Sequence, residues 1–461
     1  MVDFHNLNME ADKPIAIIGA GLAGLTAANF LRSNNIPFIL YESGKKIAGL
    51  ATSFKDDEGF SHDFGAHFIT NRLAKAIGIN SDCILVKHYG EAVWYKGKSY
   101  NYPFGLIKVP KMFQSWFENL LKSIGRSSKP ASAADWFRKR YGSTLADEIA
   151  LPLLEAWSGE DAKYLSPAVG DGLFGGGILK TIYLKTAGKL TGRAVSCGYN
   201  REKPETPGVW HVYPVNGIST LCEKLAEGLE DSIYLESPVQ EILVENEKAV
   251  AVIVNGEKKE VSGVISTAPA NILSKLVKGT AALQGAKHFR YRPMVFVNMR
   301  FTGRKLLPDT VMWFPEKNFS FFRLTEATQS MPWLAPDGKT IITADIGCEK
   351  DDAIWSMDST KLTDICLNNL EAIVSDIRDR FLGSNILRTT IAYPVFLNEY
   401  EKERQDFEKS TNIENLLSVG RNGEFSHMFM EDVYWRTQKK VQDLIQTMKK
   451  NNESSSNLQH I

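Results

Sequence analysis

The sequence predicts an α/β chain: a parallel sheet covered by helices and interrupted by long α+β insertions. Three observations predict it. Residues 14–42, PIAIIGAGLAGLTAANFLRSNNIPFILYE, read as strand, turn, helix, strand. A second buried strand, Val264-Ile265-Ser266-Thr267-Ala268, runs to a proline stop at Pro269. The length of 461 residues exceeds one simple core, so two or three intertwined domains are expected.

The first unit sets the rest. Ile15-Ala16-Ile17-Ile18 has the length and apolarity of a buried strand. The turn Gly19-Ala20-Gly21-Leu22-Ala23-Gly24 follows. Gly19 permits the tight strand-to-helix turn, Gly21 lets backbone approach a pyrophosphate, and Gly24 lets the helix pack close to the strand. The helix through Leu31 offers free N–H groups and its positive dipole end, with Leu22 and Ala23 at its mouth. Phe38-Ile39-Leu40-Tyr41 is the second strand. Glu42 closes it, 23 residues after Gly19, where a carboxylate accepts from a ribose diol and disfavours a 2′-phosphate. Ser43 adjoins it. A lone GxGxxG is weak, and the alternative is a glycine-rich turn of another α/β protein. Strand, turn, helix, strand and acid in this order point instead to a dinucleotide site.

Composition excludes several classes. Lys+Arg and Asp+Glu are 54 each, so net charge gives no global case for nucleic acid. Hydrophobic content of 43% and charged content of 23% are those of a soluble globular chain. Cys83, Cys197, Cys222, Cys348 and Cys366 are scattered without CxxC or zinc spacing, so no metal is expected and a reducing, cytoplasmic setting is. The first ten residues lack a basic and apolar signal pattern, and no run reaches a membrane-spanning length. Nothing in the composition fixes an oligomeric state.

Residues 1–13 read as a polar leader. Lys46 to Phe54 carries Gly49, which allows close backbone approach to a cofactor, followed by Leu50 and Ala51. Gly59 to Phe68 contains Gly65-Ala66-His67-Phe68. His67 can donate, or act as acid or base near neutral pH; the plainer reading is a histidine held by backbone partners. His62 is the weaker candidate of the two. Tyr89 to Phe104 reads as a hairpin turning at Lys96-Gly97, with aromatic rings fit to wall a pocket. Residues 110–124 place Met112, Phe113, Trp116, Phe117, Leu120, Leu121 and Ile124 on one stripe. Core packing is favoured there over a peripheral membrane contact or a gate. Residues 126–130 read as a linker, and Trp136 to Gly142 opens another helical region. Residues 170–208 read as loop or lid.

A helix is expected after Tyr213 to Leu221, running to Leu229. Strands are expected at residues 233–236, 239–244 and 249–254, with Asn255-Gly256 as a hairpin turn. Met294–Phe301 and Thr340–Ile346 read as strands, and Lys361–Arg378 as an amphipathic helix. Arg323 suits an anionic substrate group or, equally, a surface ion pair. Asn415 to Phe425 carries a strand to Gly420-Arg421-Asn422-Gly423-Glu424-Phe425, and a helix begins near Met430-Glu431. Its N-terminus can stabilise negative charge. Residues 451–461 read as a frayed tail.

These pieces together resemble one family. The stretch after Glu42 resembles GG-x-x-x-[ST] with Ala48 for the first glycine. GAHF at 65–68, VISTAP at 264–269 and GRNGEF at 420–425 resemble segments of protoporphyrinogen-oxidase and amine-oxidase-like flavoproteins, close to UDP-galactopyranose mutase. The resemblance spans Ile15 to Val433. It implies FAD, held in a Rossmann-like FAD-binding domain of the glutathione-reductase type with an interleaved substrate domain. Residues 1–70, 209–280 and 401–450 would form the FAD part, 71–208 and 281–400 the substrate part. It implies flavin contacts by Gly65, Ala66, His67, Gly420, Arg421, Phe425 and Met430, and backbone at Val239 near the adenine. Glu431 stands where relatives carry Asp. The activity implied is hydride removal from a small organic substrate at flavin N5, with His67 and Arg323 as catalytic candidates. No second GxGxxG occurs, which leaves oxygen, a quinone or another acceptor for the electrons. The alternative implied is a sugar-nucleotide mutase without net redox.

Overall fold

The computed structural model describes residues 13–102, 104–123, 129–173 and 178–458. Its first sheet has five parallel strands, in the order Ile233–Tyr234, Phe38–Tyr41, Ile15–Ile18, Gly263–Ser266, Leu416–Ser418. We label Ile15–Ile18 β1, Leu22–Ser33 α1 and Phe38–Tyr41 β2. β1 is fully buried because it is covered on both faces. Ile15 and Ile17 pack with α1 and the C-terminal helix Met430–Leu458, while Ala16 and Ile18 pack toward a small second sheet. That sheet pairs Val239–Glu245 with Lys248–Val254 and Glu257–Glu260, turning at Asn255-Gly256. Both turn residues have positive φ, 51° and 79°, as the expected Asn-Gly hairpin turn needs.

A seven-stranded mixed sheet forms the other large layer, in the order Phe381–Val395, Arg290–Thr302, Lys339–Gly347, Arg323–Thr325, Val311–Trp313, Glu91–Tyr95, Lys98–Asn101. Helix Ser359–Leu370 covers one face through Leu362, Cys366 and Leu370 against Val295, Val297 and Met299. The opposite face carries Phe296, Asn298 and Arg300, in register with Asp345, Thr343 and Ile341. This polar face meets a hairpin of β3 (Ser53–Lys55) and β4 (Ser61–Asp63), through Arg300 with Asp56 and Asn385 with His62.

Several expectations are corrected. Residues 170–208 are not a featureless lid: Ile178–Thr191 is a helix. It anchors through buried Leu184 while Ile182, Tyr183 and Leu190 are exposed, so no apolar stripe marks it in sequence. The tail is not frayed where described. The C-terminal helix continues to Leu458, propagated from a long preformed helix that needs no new nucleus; residues 459–461 lie outside the described residues. The helix expected at Lys361–Arg378 starts earlier, because Asp358 accepts from Thr360 N, and stops at Leu370. The helix expected to reach Leu229 ends at Ala226. On Pro110–Ser123, Met112 is buried while Phe113 and Phe117 are half exposed, so the stripe is only partly core. The side chains of Trp116, Leu120 and Leu121, residue Ile124, the leader 1–12 and linker residues 126–128 lie outside the described residues. No described helix is long and apolar enough to cross a membrane.

Candidate functional site

Three backbone segments meet at the N-terminus of α1. Gly19 has φ +97°, and a Cβ there would lie 2.2 Å from Thr267 Oγ1. A Cβ at Gly24 would lie 1.9 Å from the Gly19 carbonyl oxygen, so this helix sits on the turn as only glycine allows. Gly21 is different. A Cβ there meets nothing nearer than Ala48 O at 3.9 Å, so the space before it is open to a ligand. Ala48 and Gly49 approach from the second segment, with Ala48 N donating to Ala20 O at 2.9 Å. Leu50 is half-buried and Ala51 buried beside them. Gly420, φ +85°, comes from the third; its added Cβ would lie 2.9 Å from Ala23 Cβ. The first N–H groups of α1 thus face a cradle of small residues. Glu42 stands at its edge. Its carboxylate accepts from Ala20 N and Gly44 N, both at 2.7 Å, and Ser43 Oγ donates to it at 3.3 Å. A carboxylate has lone pairs left for a diol.

A second centre lies where the GAHF segment crosses the polar face of the seven-stranded sheet. Gly65 has φ +77°, and a Cβ there would come 3.1 Å from Arg323 Nη2 and from Phe296 Cε1. Arg323 is not a surface residue. It pairs with Asp345, its register partner on the neighbouring strand, and Asp345 is wholly buried. Burial is the largest influence on Arg323 and lowers its pKa; Asp345, Tyr393 and Tyr89 together outweigh it and hold the guanidinium above its ordinary value, while burial raises the Asp345 carboxyl. The guanidinium also lies 5.4 Å over the Trp313 ring. His67 lies beside this pair, with Nδ1 3.5 Å from Asp63 Oδ2.

Aromatic rings wall the space around Arg323. Tyr89 OH lies 2.6 Å from Tyr199 OH and donates to Glu91. Tyr199 packs on His211 and Phe429, and Trp157 on Tyr393. The Arg421 guanidinium lies 5.2 Å over the Tyr393 ring and has no hydrogen bond or ion pair among the described residues. Burial lowers its pKa. An unpaired guanidinium in such surroundings favours an anionic or electron-rich ligand. His427, buried nearby, is pushed down to about 3 by burial and then by Arg421, so it is neutral. Farther along the sheet face, a cavity of about 450 Å³ lies between Lys46, Ser53, Phe54, His62, Arg300 and Asn385.

Sequence-predicted residues divide accordingly. Gly19, Gly21, Leu22, Ala23, Gly24, Glu42, Ser43, Gly49, Leu50, Ala51 and Gly420 come together at the first centre, Gly65, Ala66, His67 and Arg323 at the second. Val239 is buried at the start of its strand, and Met430 is the first residue of the C-terminal helix. Two side chains turn away. The Phe425 ring is buried in another core, stacked on Phe289 at 4.4 Å. The Glu431 carboxylate accepts from Thr70, Arg72 and Trp435, which fixes the helix start to the chain at residues 70–72. The sequence reading missed Asp63, Tyr199 and Asp345. For Asp345 a signal existed: an acid inside the apolar strand KTIITADIG is costly unless paired.

Comparisons with known proteins fit this geometry. A family model described as flavin containing amine oxidoreductase matches residues 22–434. Coproporphyrinogen III oxidase of Staphylococcus aureus is 22% identical over 409 residues, covering 79% of this chain and 84% of that protein. Protoporphyrinogen oxidase 2, chloroplastic/mitochondrial, of Arabidopsis thaliana is 22% identical over 469 residues, covering 88% and 89%. Among solved structures, reduced UDP-galactopyranose mutase superposes with TM-score 0.77 at 18% identity, over 94% of this chain and 96% of that one. Putrescine oxidase with putrescine bound gives 0.67 at 15% identity, over 94% and 99%. At such identities the structural likeness shows the fold. The family match covers most of the chain, and with the glycine cradle ahead of α1 it is decisive: the chain belongs to the flavin-containing amine oxidoreductases and is a flavin-dependent enzyme.

Proposed function

We propose that the flavin is FAD and that the enzyme oxidises a small organic molecule, with porphyrinogens as the first substrate class and amines as the second. The observation that carries this is the pair of centres: an open glycine cradle edged by an acid, and a shelf at Gly65–His67 backed by a buried arginine. The cradle suits the pyrophosphate of a dinucleotide and Glu42 its ribose. Val239, at the start of its strand, would offer backbone to the adenine. FAD, once bound, supplies the acceptor for two electrons and a hydrogen. The chain's own groups do the rest. Gly65 leaves room for a flat ring. Arg323, held in its buried pair, is the cation placed to meet a substrate carboxylate such as porphyrinogens carry. Tyr89, Tyr199, Trp157 and Tyr393 exclude water and flank an extended apolar substrate. His67 moves the proton, and Arg421 balances negative charge on the ring.

Oxygen or a quinone would take the electrons onward. Five free cysteines support a reducing, cytoplasmic setting. The test is a purification with an absorption spectrum, then anaerobic mixing with coproporphyrinogen, protoporphyrinogen and primary amines. Bleaching of the flavin band by one of them, and its return with an acceptor, is expected. A colourless protein that gains no visible absorbance on adding FAD ends the reading. Conversion of UDP-galactopyranose by the dithionite-reduced protein without any acceptor would replace it with the mutase reading.

A further inference from the structure

A buried carboxylate, Asp63, stands beside the second centre. Asp63 ends β4 and is 6% exposed. Its Oδ1 accepts from Ser53 Oγ at 2.6 Å across the hairpin, and its Oδ2 from Tyr213 OH at 2.7 Å. The same Oδ2 lies 3.5 Å from His67 Nδ1. That nitrogen is buried and makes no formal hydrogen bond. Nε2, on the opposite side of the ring, has no partner among the described residues. The other charged groups near the imidazole are Arg323 and Asp345, which pair through Asp345 Oδ2; Asp345 Oδ1 is buried without a hydrogen-bond partner among the described residues, and Asp345 also feels the charge of His67. Asp63 thus faces Nδ1, while Nε2 makes no hydrogen bond among the described residues.

We propose that Asp63 is a positioning residue. It holds His67 in the Nδ1–H tautomer, so that Nε2 is the base that takes a proton from substrate at the Gly65–His67 shelf. The 3.5 Å separation is long, but hydrogen bonds of this kind tighten when a site is loaded. Two hydroxyl donors fix the carboxylate in place, so it steadies the imidazolium without becoming the base. An orienting acid behind a histidine is the usual way its tautomer is set.

The inference rests on the oxidoreductase reading, and its test separates the two. Histidine ¹⁵N–¹H spectra of the flavin-loaded protein, with His67 assigned by His67→Gln, report tautomer and titration midpoint. Asp63→Asn removes the charge and lowers the His67 midpoint by about one pH unit or more. Tyr213→Phe strips one donor from the carboxylate, leaves more of its charge to the imidazolium and raises the midpoint. The low-pH limb of flavin reduction by substrate moves with each midpoint, in the same direction. Opposed shifts show that the Asp63 charge reaches the ring; the positioning role is read from the tautomer, which moves from Nδ1–H toward Nε2–H in Asp63→Asn and stays Nδ1–H if Asp63 acts by charge alone. Midpoints unmoved in both variants overturn the proposal, and so does a wild-type ring protonated at Nε2 alone. If Asp63→Asn does not fold, Tyr213→Phe and the wild-type tautomer decide. Opposed shifts without turnover of any tested substrate uphold the pair and count against the substrate reading; turnover with an unmoved His67 does the reverse.

Discussion

The two centres are built on different principles. The cradle at α1 is made of backbone. Its turn, helix and acid all come from residues 14–42, with Gly49, Thr267 and Gly420 filling the sides. The shelf at Gly65–His67 is made of side-chain charge, and its partners, Arg323 and Asp345, arrive on strands from the far half of the chain. A backbone site leaves its mark in glycine spacing. A site made from paired charges on distant strands leaves only isolated residues.

The largest expected effect tests the charge side. Asp345→Ala leaves a buried guanidinium without its partner and should cost about 3–5 kcal/mol of unfolding free energy. The double variant Arg323→Met, Asp345→Leu should recover most of that loss, since a buried pair often exchanges neutrally for apolar groups. Urea denaturation of the three proteins checks it. A loss under about 1 kcal/mol for Asp345→Ala would place the pair with surface ion pairs and remove the contrast.

The backbone side separates packing from binding. Gly24→Ala drives a methyl into the Gly19 carbonyl, so the protein should lose about 1–3 kcal/mol and its flavin together. Gly21→Ala meets open space at φ −77°, which alanine adopts freely. It should fold with unchanged stability as the flavin-free protein and fail to retain flavin. Thermal unfolding of both, with and without added cofactor, distinguishes the cases. Equal loss of stability in both would mean that Gly21 faces protein.

Legibility follows the same division. β1, the turn, α1, β2 and Glu42 are legible in place, because each depends on near neighbours. Val264–Ala268 and Asn255-Gly256 are legible for the same reason. Arg323 stands out as a residue but not as half of a buried pair, since nothing local to it specifies Asp345. Glu431 and Phe425 lie in family-like motifs, yet their side chains serve the helix start and another core. Helix Ile178–Thr191 escapes a sequence reading because it packs through Leu184 with exposed apolar residues on its other sides.

Glu42 sharpens the contrast from the ligand's side. Two backbone N–H groups already share its carboxylate. Glu42→Gln keeps one acceptor oxygen and turns an N–H₂ toward a donor, so the loop loosens and a ribose diol loses one acceptor. Flavin affinity should fall about tenfold, near 1.4 kcal/mol, with a stability change of about 1 kcal/mol or less. Equilibrium titration of stripped protein with flavin measures it. An unchanged affinity would move the ribose away from this acid.

The smallest effect is one of pH, and it belongs to the aromatic wall of the second centre. His211 is buried against Phe68, Tyr89 and Tyr199, with ring centroids 5.5, 5.9 and 5.1 Å away. Burial pushes its pKa down to about 4. Its unfolded value is near 6.5, so the unfolded chain binds the proton first. Stability is therefore full above pH 6.5 and is lost as pH falls toward 4. By pH 6 the loss from this one ring is about 1 kcal/mol relative to pH 8. His427, also held low by burial, adds in the same direction. His211→Phe suits the surrounding rings and removes one of these proton-binding groups. Urea midpoints at pH 8 and pH 6 should then differ less for the variant than for the wild type. A variant that keeps the full acid loss would mean that His211 is already protonated in the fold, with the Glu205 carboxylate, which acts to raise its pKa, compensating its charge.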